Sequence, residues 1–289
     1  MSEHAPGRVA PTRVLLVACF GAFLAFLDAT IVNVAFPSIR ESFPEASISA
    51  LSWVLNAYNI VFAAFLVVCG RLTDLIGRRR AYVGGIALFT LASLWCAAAP
   101  TLELLVAGRV LQALGAAMLV PASLAIVIEA FSSDRRAHAI GLWGATAAVA
   151  AGLGPPMGGA LVELGGWRWA FLVNLPFGVL AIAATRRTVV ESRAPGRRVM
   201  PDIPGALLLA GALALLNLGI IKGNDWGWSS PRVLGSFLLA ALLTALFVRS
   251  SLRHPAPVVD PALMRIGLRP ITRSPRCNGF STRRRWVVW

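Results

Sequence analysis

Val14–Ile39, VLLVACFGAFLAFLDATIVNVAFPSI, carries a single charge, Asp28, in an otherwise apolar run. A helix rises about 1.5 Å per residue, so roughly 20 residues cross a hydrocarbon core about 30 Å thick. This run is long enough to span. The apolar part of a secretory leader is only about 7 to 15 residues, so the run reads as a retained helix. The same ruler, moved along the chain, predicts further spans over Leu51–Gly70, Ala81–Ala99, Leu102–Glu129, Ala137–Leu161, Trp169–Thr185, Ile203–Ile221 and Val233–Val248. The expected fold class is all-α: a polytopic membrane protein with a six-helix bundle and two further transmembrane helices.

Composition points the same way. Of 289 residues, 57% are hydrophobic and 14% charged, against about 25% charged in an ordinary soluble domain. Soluble enzymes, compact nucleic-acid binders and disordered tails are poor readings of such a chain. The net charge is +14, from 27 basic and 13 acidic residues. Most of the basic residues fall in alternate connections: Arg8 and Arg13, then Arg71 and Arg78 to Arg80, Arg135 and Arg136, Arg186 to Arg198, and those after Val248. Basic residues accumulate in short cytoplasmic segments, which predicts an inside N-terminus and an anionic lipid leaflet, not nucleic acid, as their neighbour. Trp167, Trp169, Trp226 and Trp228 suit the headgroup belt. Cys19, Cys69, Cys96 and Cys277 show neither disulfide nor zinc spacing, and His138 and His254 read as loop or helix-end residues. The 26 arginines against one lysine fit a GC-rich bacterial genome.

Several polar residues sit where hydrocarbon does not tolerate them. Asp28 lies midway along the first span, and an ionisable group there marks a functional site unless a neighbouring helix merely pairs it. Thr30 and Asn33 offer hydrogen bonds to the same region, and Pro37 marks a kink or the span's end. Arg109 needs an acceptor within the fourth span, with Gln112 on nearly the same face. Asp28 is the most attractive partner, directly or through water; snorkelling to the outer interface is the alternative. Between the second and third spans, Gly70, Asp74, Gly77, Arg78, Arg79 and Arg80 read as a charged latch in which Asp74 pairs with a guanidinium or caps a helix. A plain anchoring loop is the competing reading. Glu129 and Asp134 are expected to pair with Arg135 or Arg136. In the fifth span, Gly152, Gly154, Pro155, Pro156, Gly158 and Gly159 suggest a bent, closely packed helix between moving parts, or a simple packing kink.

Taken together these segments resemble the major facilitator superfamily, in particular its 14-span drug:proton antiporter branch. Leu27–Pro37 is similar to that branch's first-helix motif, Gly70–Arg80 to the superfamily's signature loop, Leu105–Ala117 to the fourth-helix motif and Gly141–Gly159 to the antiporter motif, with Ala150 at a position that is usually glycine. Trp167–Pro176 and Asp202–Gly205 also look like this branch. The resemblance covers roughly Ala18 to Thr272. It implies efflux of hydrophobic or cationic drugs or metabolites against inward proton flow, across a bacterial inner membrane. It assigns Asp28 and Arg109 to proton coupling, Gly70, Asp74, Gly77, Arg78 and Arg79 to conformational gating, and Gly154, Pro155, Gly158 and Gly159 to antiporter-motif packing. No nucleotide is expected, since Gly152–Pro155 follows no phosphate-loop or dinucleotide spacing, and no cofactor, metal or enzymatic reaction is expected of a transporter of this kind.

The expected organisation is a cytoplasmic segment at 1–13, a six-helix bundle at 14–185, a basic linker at 186–202, two additional transmembrane helices at 203–248 and a basic cytoplasmic tail at 249–289. The tail becomes atypical after about residue 272, which suggests a shifted frame or premature end, and the branch's six-helix second bundle does not follow. Self-association, or a separately encoded half, would complete a cavity. An inactive fragment and a noncatalytic membrane assembly partner are the competing readings.

Overall fold

The computed structural model describes residues 10–193, 200 and 202–254. Arg8, Arg197, Arg198, Cys277 and the tail from Pro255 onward lie outside the described residues. The described chain is helical: α1 (Pro11–Ser42), α2 (Ile48–Leu51), α3 (Trp53–Ile76), α4 (Arg78–Ala98), α5 (Leu102–Ala130), α6 (Ser133–Gly165), α7 (Arg168–Leu172), α8 (Asn174–Thr188), α9 (Ile203–Trp226) and α10 (Pro231–Arg253). No strand occurs among the described residues. Grouped as continuous stretches, with α2 and α3 counted together and α7 with α8, eight are long and apolar enough to cross a membrane.

Local chemistry sets the ends. Thr101, Asp202 and Ser230 each accept a backbone N–H from the first turn of α5, α9 and α10, satisfying donors that have no intrahelical partner. Gly77 has φ +111° at the α3–α4 junction, a value that costs other residues strain. Pro37 does not end the first span: α1 continues through it to Ser42, losing one backbone bond. The sixth span is split by a turn at Val173 into α7 and α8.

Packing relies on backbone contact between helices. A Cβ built on Gly115 would lie 2.6 Å from the Phe89 backbone nitrogen, and one on Gly85 would lie 2.8 Å from that of Leu119. α4 and α5 therefore touch through their main chains. Tyr82 of α4 pushes its hydroxyl into α1, donating to the Val17 carbonyl and accepting from Gly21 N–H. Two apolar clusters result. One gathers Leu15, Ala18, Tyr82, Phe89, Ala113 and Ile126; the other gathers Ile31, Ile39, Leu51, Cys96, Leu105 and Phe171. Trp167 belongs to the second cluster. It is 2% exposed and donates to Ser42 Oγ, so it is a core residue, not part of the expected headgroup belt; Trp169 and Trp228 remain exposed.

α9 and α10 pair with each other and dock on α3 through Val68, Ala206 and Phe247. Hydrogen bonds tie α9 to α10 at one end and to α2 at the other. Buried Asp202, which caps α9, accepts from Ser250 Oγ of α10. At the other end Lys222 pairs with Asp225 at 3.0 Å, and Ser49 of α2 donates to the same carboxylate at 3.1 Å.

Gly115→Val is expected to destabilise the bundle by about 1–3 kcal/mol through overpacking, because neither backbone can yield. Gly141→Val, where the added carbon meets open space, leaves stability unchanged. Heating in detergent followed by size-exclusion chromatography compares the two; equal effects would contradict the main-chain contact.

Candidate proton-coupling site

The two apolar clusters leave a polar layer between them, and residues of α1, α3, α4, α5 and α8 fill it. On α1, Asp28 follows Leu27 of one cluster and Ala25 of the other; on α5, Arg109 and Gln112 lie between Leu105 and Ala113; on α4, Ser93 lies between Phe89 and Cys96. On α3, Val54 and Tyr58 come from opposite clusters. Asp28 and Arg109 are 0% and 1% exposed.

Arg109 Nη1 donates to Asp28 Oδ2 at 2.6 Å and to Gln112 Oε1 at 2.6 Å, while Nε donates to the Val54 carbonyl at 3.1 Å. The Tyr58 ring lies 4.1 Å from the guanidinium carbon, a cation–π contact that desolvation strengthens. The other carboxylate oxygen, Asp28 Oδ1, accepts from Gln112 Nε2 and Asn174 Nδ2, both at 2.8 Å. Ser93 Oγ accepts from the same two amides and donates to the Phe89 carbonyl. Arg109 thus pairs directly with Asp28 and does not snorkel. Thr30 and Asn33 contribute nothing to the carboxylate: Thr30 donates to the Leu27 carbonyl and Asn33 to that of Ala29.

Tyr58, Ser93 and Asn174 were not singled out from the sequence. Asn174 had a usable signal, since it is an amide inside an apolar span, the same anomaly that marks Asp28. Ser93 and Tyr58 had none, because a lone serine or tyrosine in a span is unremarkable.

The signature loop is built differently from expectation. Asp74 lies 3.9 Å from Arg78, a loose pair, and does not cap α4. Glu191 from the segment after α8 does so: its oxygens accept from the backbone N–H groups of Arg79 and Arg80, both at 3.2 Å, where a carboxylate also complements the helix dipole. Arg78 N–H donates to the Ser192 carbonyl at 2.9 Å and Arg79 Nη2 to that of Arg186 at 3.2 Å. Gly77 admits this strap, since a side chain there would strike the Glu191 carboxylate. Glu129 pairs with Arg78 at 2.8 Å, not with Arg135 or Arg136, and also accepts from Ser192 Oγ. Asp134 lies 3.9 Å from Arg135. Gly70 faces Pro121 of α5 at ordinary contact distance.

Along α6, Gly154 abuts Thr30 and Gly158 abuts Ile31 and Val34 of α1. Gly141, Gly144, Gly152 and Gly159 face open space, so close helix contact is confined to two of the glycines in that motif. Pro155 and Pro156 lie inside a continuous α6. Among the described residues, no three His, Cys, Asp or Glu side chains converge as metal ligands do.

The Major Facilitator Superfamily profile matches residues 18–268. The chain is 37% identical over 255 residues to the methylenomycin A resistance protein of Bacillus subtilis, covering 88% of this chain and 54% of that protein. It is 40% identical over 252 residues to the multidrug resistance protein Stp of Mycobacterium tuberculosis, covering 87% and 47%. The riboflavin transporter RibZ of Clostridioides difficile is 34% identical over 243 residues, covering 84% and 53%. The chain therefore spans about half the length of these relatives. In structure it is similar to the POT family transporter PepTSo, with a TM-score of 0.59 at 14% identity over 89% of this chain and 57% of that one. With a multi-pass helical fold and a match over most of its length, the chain belongs to the major facilitator superfamily.

Proposed function

We propose that these residues form the proton-coupling half of a secondary transporter that exports hydrophobic or cationic small molecules, drugs or metabolites, across a bacterial inner membrane. The N-terminus is cytoplasmic in this reading, as the distribution of arginines favours. The observation that carries it is the buried pair of Asp28 and Arg109. An ion pair in hydrocarbon is weak support for stability, because desolvating both charges offsets most of their attraction; a reversible charge is what such a site is suited to supply. Protonating Asp28 removes half of the pair and leaves Arg109 with the Val54 carbonyl, Gln112 and the Tyr58 ring. The arrangement of α1 against α5 then depends on proton occupancy. The names of the relatives, which include resistance, export and riboflavin transport, support a small-molecule cargo.

Gating is assigned to Gly70, Asp74, Gly77, Arg78 and Arg79 with the Glu191 strap, because their polar contacts join the ends of α3, α4, α5 and α8. Gly154 and Gly158 let α6 ride against α1, beside Pro155 and Gly159. In alternating access, helices that meet through such small residues rock as bundles around a midplane site.

In proteoliposomes of the full chain, substrate-dependent proton movement is expected, and Asp28→Asn reduces it to background. Coupled flux that survives this substitution would sink the proton-carrier assignment, and no substrate-dependent flux from the unmodified chain would sink the transporter reading. At the latch, Arg78→Gln and Glu129→Gln should each slow flux, with the double variant no slower than either single one. Interaction energies of this sort appear as non-additivity of about 0.5 kcal/mol or more; strictly additive losses would show that the two residues act separately.

A further inference from the structure

We infer that Asn174 is a positioning residue for the proton site: its side-chain N–H holds Asp28 in the ionised form and thereby couples protonation to the sixth span. The inference rests on the reading of Asp28 as proton carrier.

Among the described residues Asp28 has three side-chain donors, and two of them, Arg109 and Gln112, come from α5. Asn174 is the third and the one that α8 supplies. It is the first residue of α8, immediately after the turn at Val173. A displacement of α8 relative to α1 and α5 would therefore remove this donor and leave the other two in place.

The amide is held by its donor half. Asn174 is 1% exposed, and Nδ2 reaches both Asp28 Oδ1 at 2.8 Å and Ser93 Oγ at 3.3 Å. Its Oδ1 has no hydrogen-bond partner among the described residues. A leucine of similar size would fill the same volume without burying an unmatched acceptor, so packing alone gives no reason for an amide here. Turning the amide over would aim its carbonyl oxygen at the ionised Asp28 oxygen, which is repulsive. The observed orientation suits an ionised carboxylate.

The remaining ionisable groups around Asp28 do not replace this role. Arg109 faces it from α5, Tyr58 from α3 beneath the guanidinium, and Cys96 from α4, with Sγ 4.0 Å from Gln112 Oε1. The acids and bases of α6, Asp134 to His138 and Glu163, lie toward the ends of that helix, and Arg186 and Arg187 lie in the last turn of α8. Hydrogen bonds to a charged form favour it. By linkage, a contact that favours the ionised acid is weakened by the same factor when the acid takes up a proton. Proton uptake from one side of the membrane therefore loosens α8 at Val173, and return of the Asn174 contact promotes release.

Infrared spectroscopy of the full chain in lipid, titrated over pH, reads the carboxyl C=O band of protonated Asp28, assigned by its loss in Asp28→Asn. In Asn174→Leu the pH at which this band is half-developed should rise by about one unit, roughly tenfold in proton affinity. Ser93→Ala, which removes the group that orients both amides, should move it less and in the same direction. Thr90→Val is the control: Thr90 Oγ1 is buried without a partner among the described residues and lies against Gly178 of α8, and its loss should leave the midpoint in place. Should Asn174→Leu not fold, Asn174→Ala removes the donor without adding bulk and is held to the same expectation. A band that titrates but ignores Asn174, or moves as far in Thr90→Val, overturns this inference alone. A carboxyl band absent at every pH in the unmodified chain overturns the proton-carrier reading as well.

Discussion

A carboxylate and a guanidinium 2.6 Å apart inside a bundle of apolar helices must be solvated by the protein itself. Removing one partner of such a pair leaves a buried charge uncompensated, at a cost of about 3–5 kcal/mol. Here the compensation is drawn from five helices: Asp28 on α1, the Val54 carbonyl and Tyr58 ring on α3, Ser93 on α4, Arg109 and Gln112 on α5, and Asn174 on α8. Each polar group is placed by the register of its helix, so these helices cannot slide independently without breaking a hydrogen bond of the buried network. That constraint places the polar layer between the two apolar clusters and aligns the five spans that contribute to it.

Close packing makes the layer possible. Apolar side chains gain little from meeting each other in lipid rather than meeting lipid, so helices there associate through small residues and hydrogen bonds. Gly85 and Gly115 bring the main chains of α4 and α5 together, and this puts Ser93 within 2.8 Å of Gln112. Tyr82 fixes α4 to α1 by bonding directly to the α1 backbone. The same principle operates between α1 and α6 at Gly154 and Gly158, while most of α6 remains exposed.

The ends of the helices are tied by charge instead. Glu191 and Ser192 lie beneath the start of α4, and Ser192 also reaches Glu129, so the connection leaving the sixth span is fastened to the loop between the second and third. Asp202 and Ser250 close one end of the α9–α10 pair, and Lys222, Asp225 and Ser49 close the other against α2. The two additional helices are thus anchored to the second span by polar contacts at one boundary and by the apolar contact at Val68.

The helical class, the eight candidate spans among the described residues and the anomaly of Asp28 and Arg109 as charges inside spans were legible in the sequence. Length, hydropathy and a charge in hydrocarbon are local properties that a chain carries wherever it folds. The partners were not legible, because they depend on which helix faces which at a given depth. Only the tertiary structure pairs Asp28 with Asn174 across 146 residues and Arg79 with Glu191 across 112, buries Trp167, separates Thr30 and Asn33 from the carboxylate, and leaves Gly159 unpacked while Gly158 touches α1. Local sequence sets where polarity cannot be tolerated; the packing of distant helices decides what satisfies it.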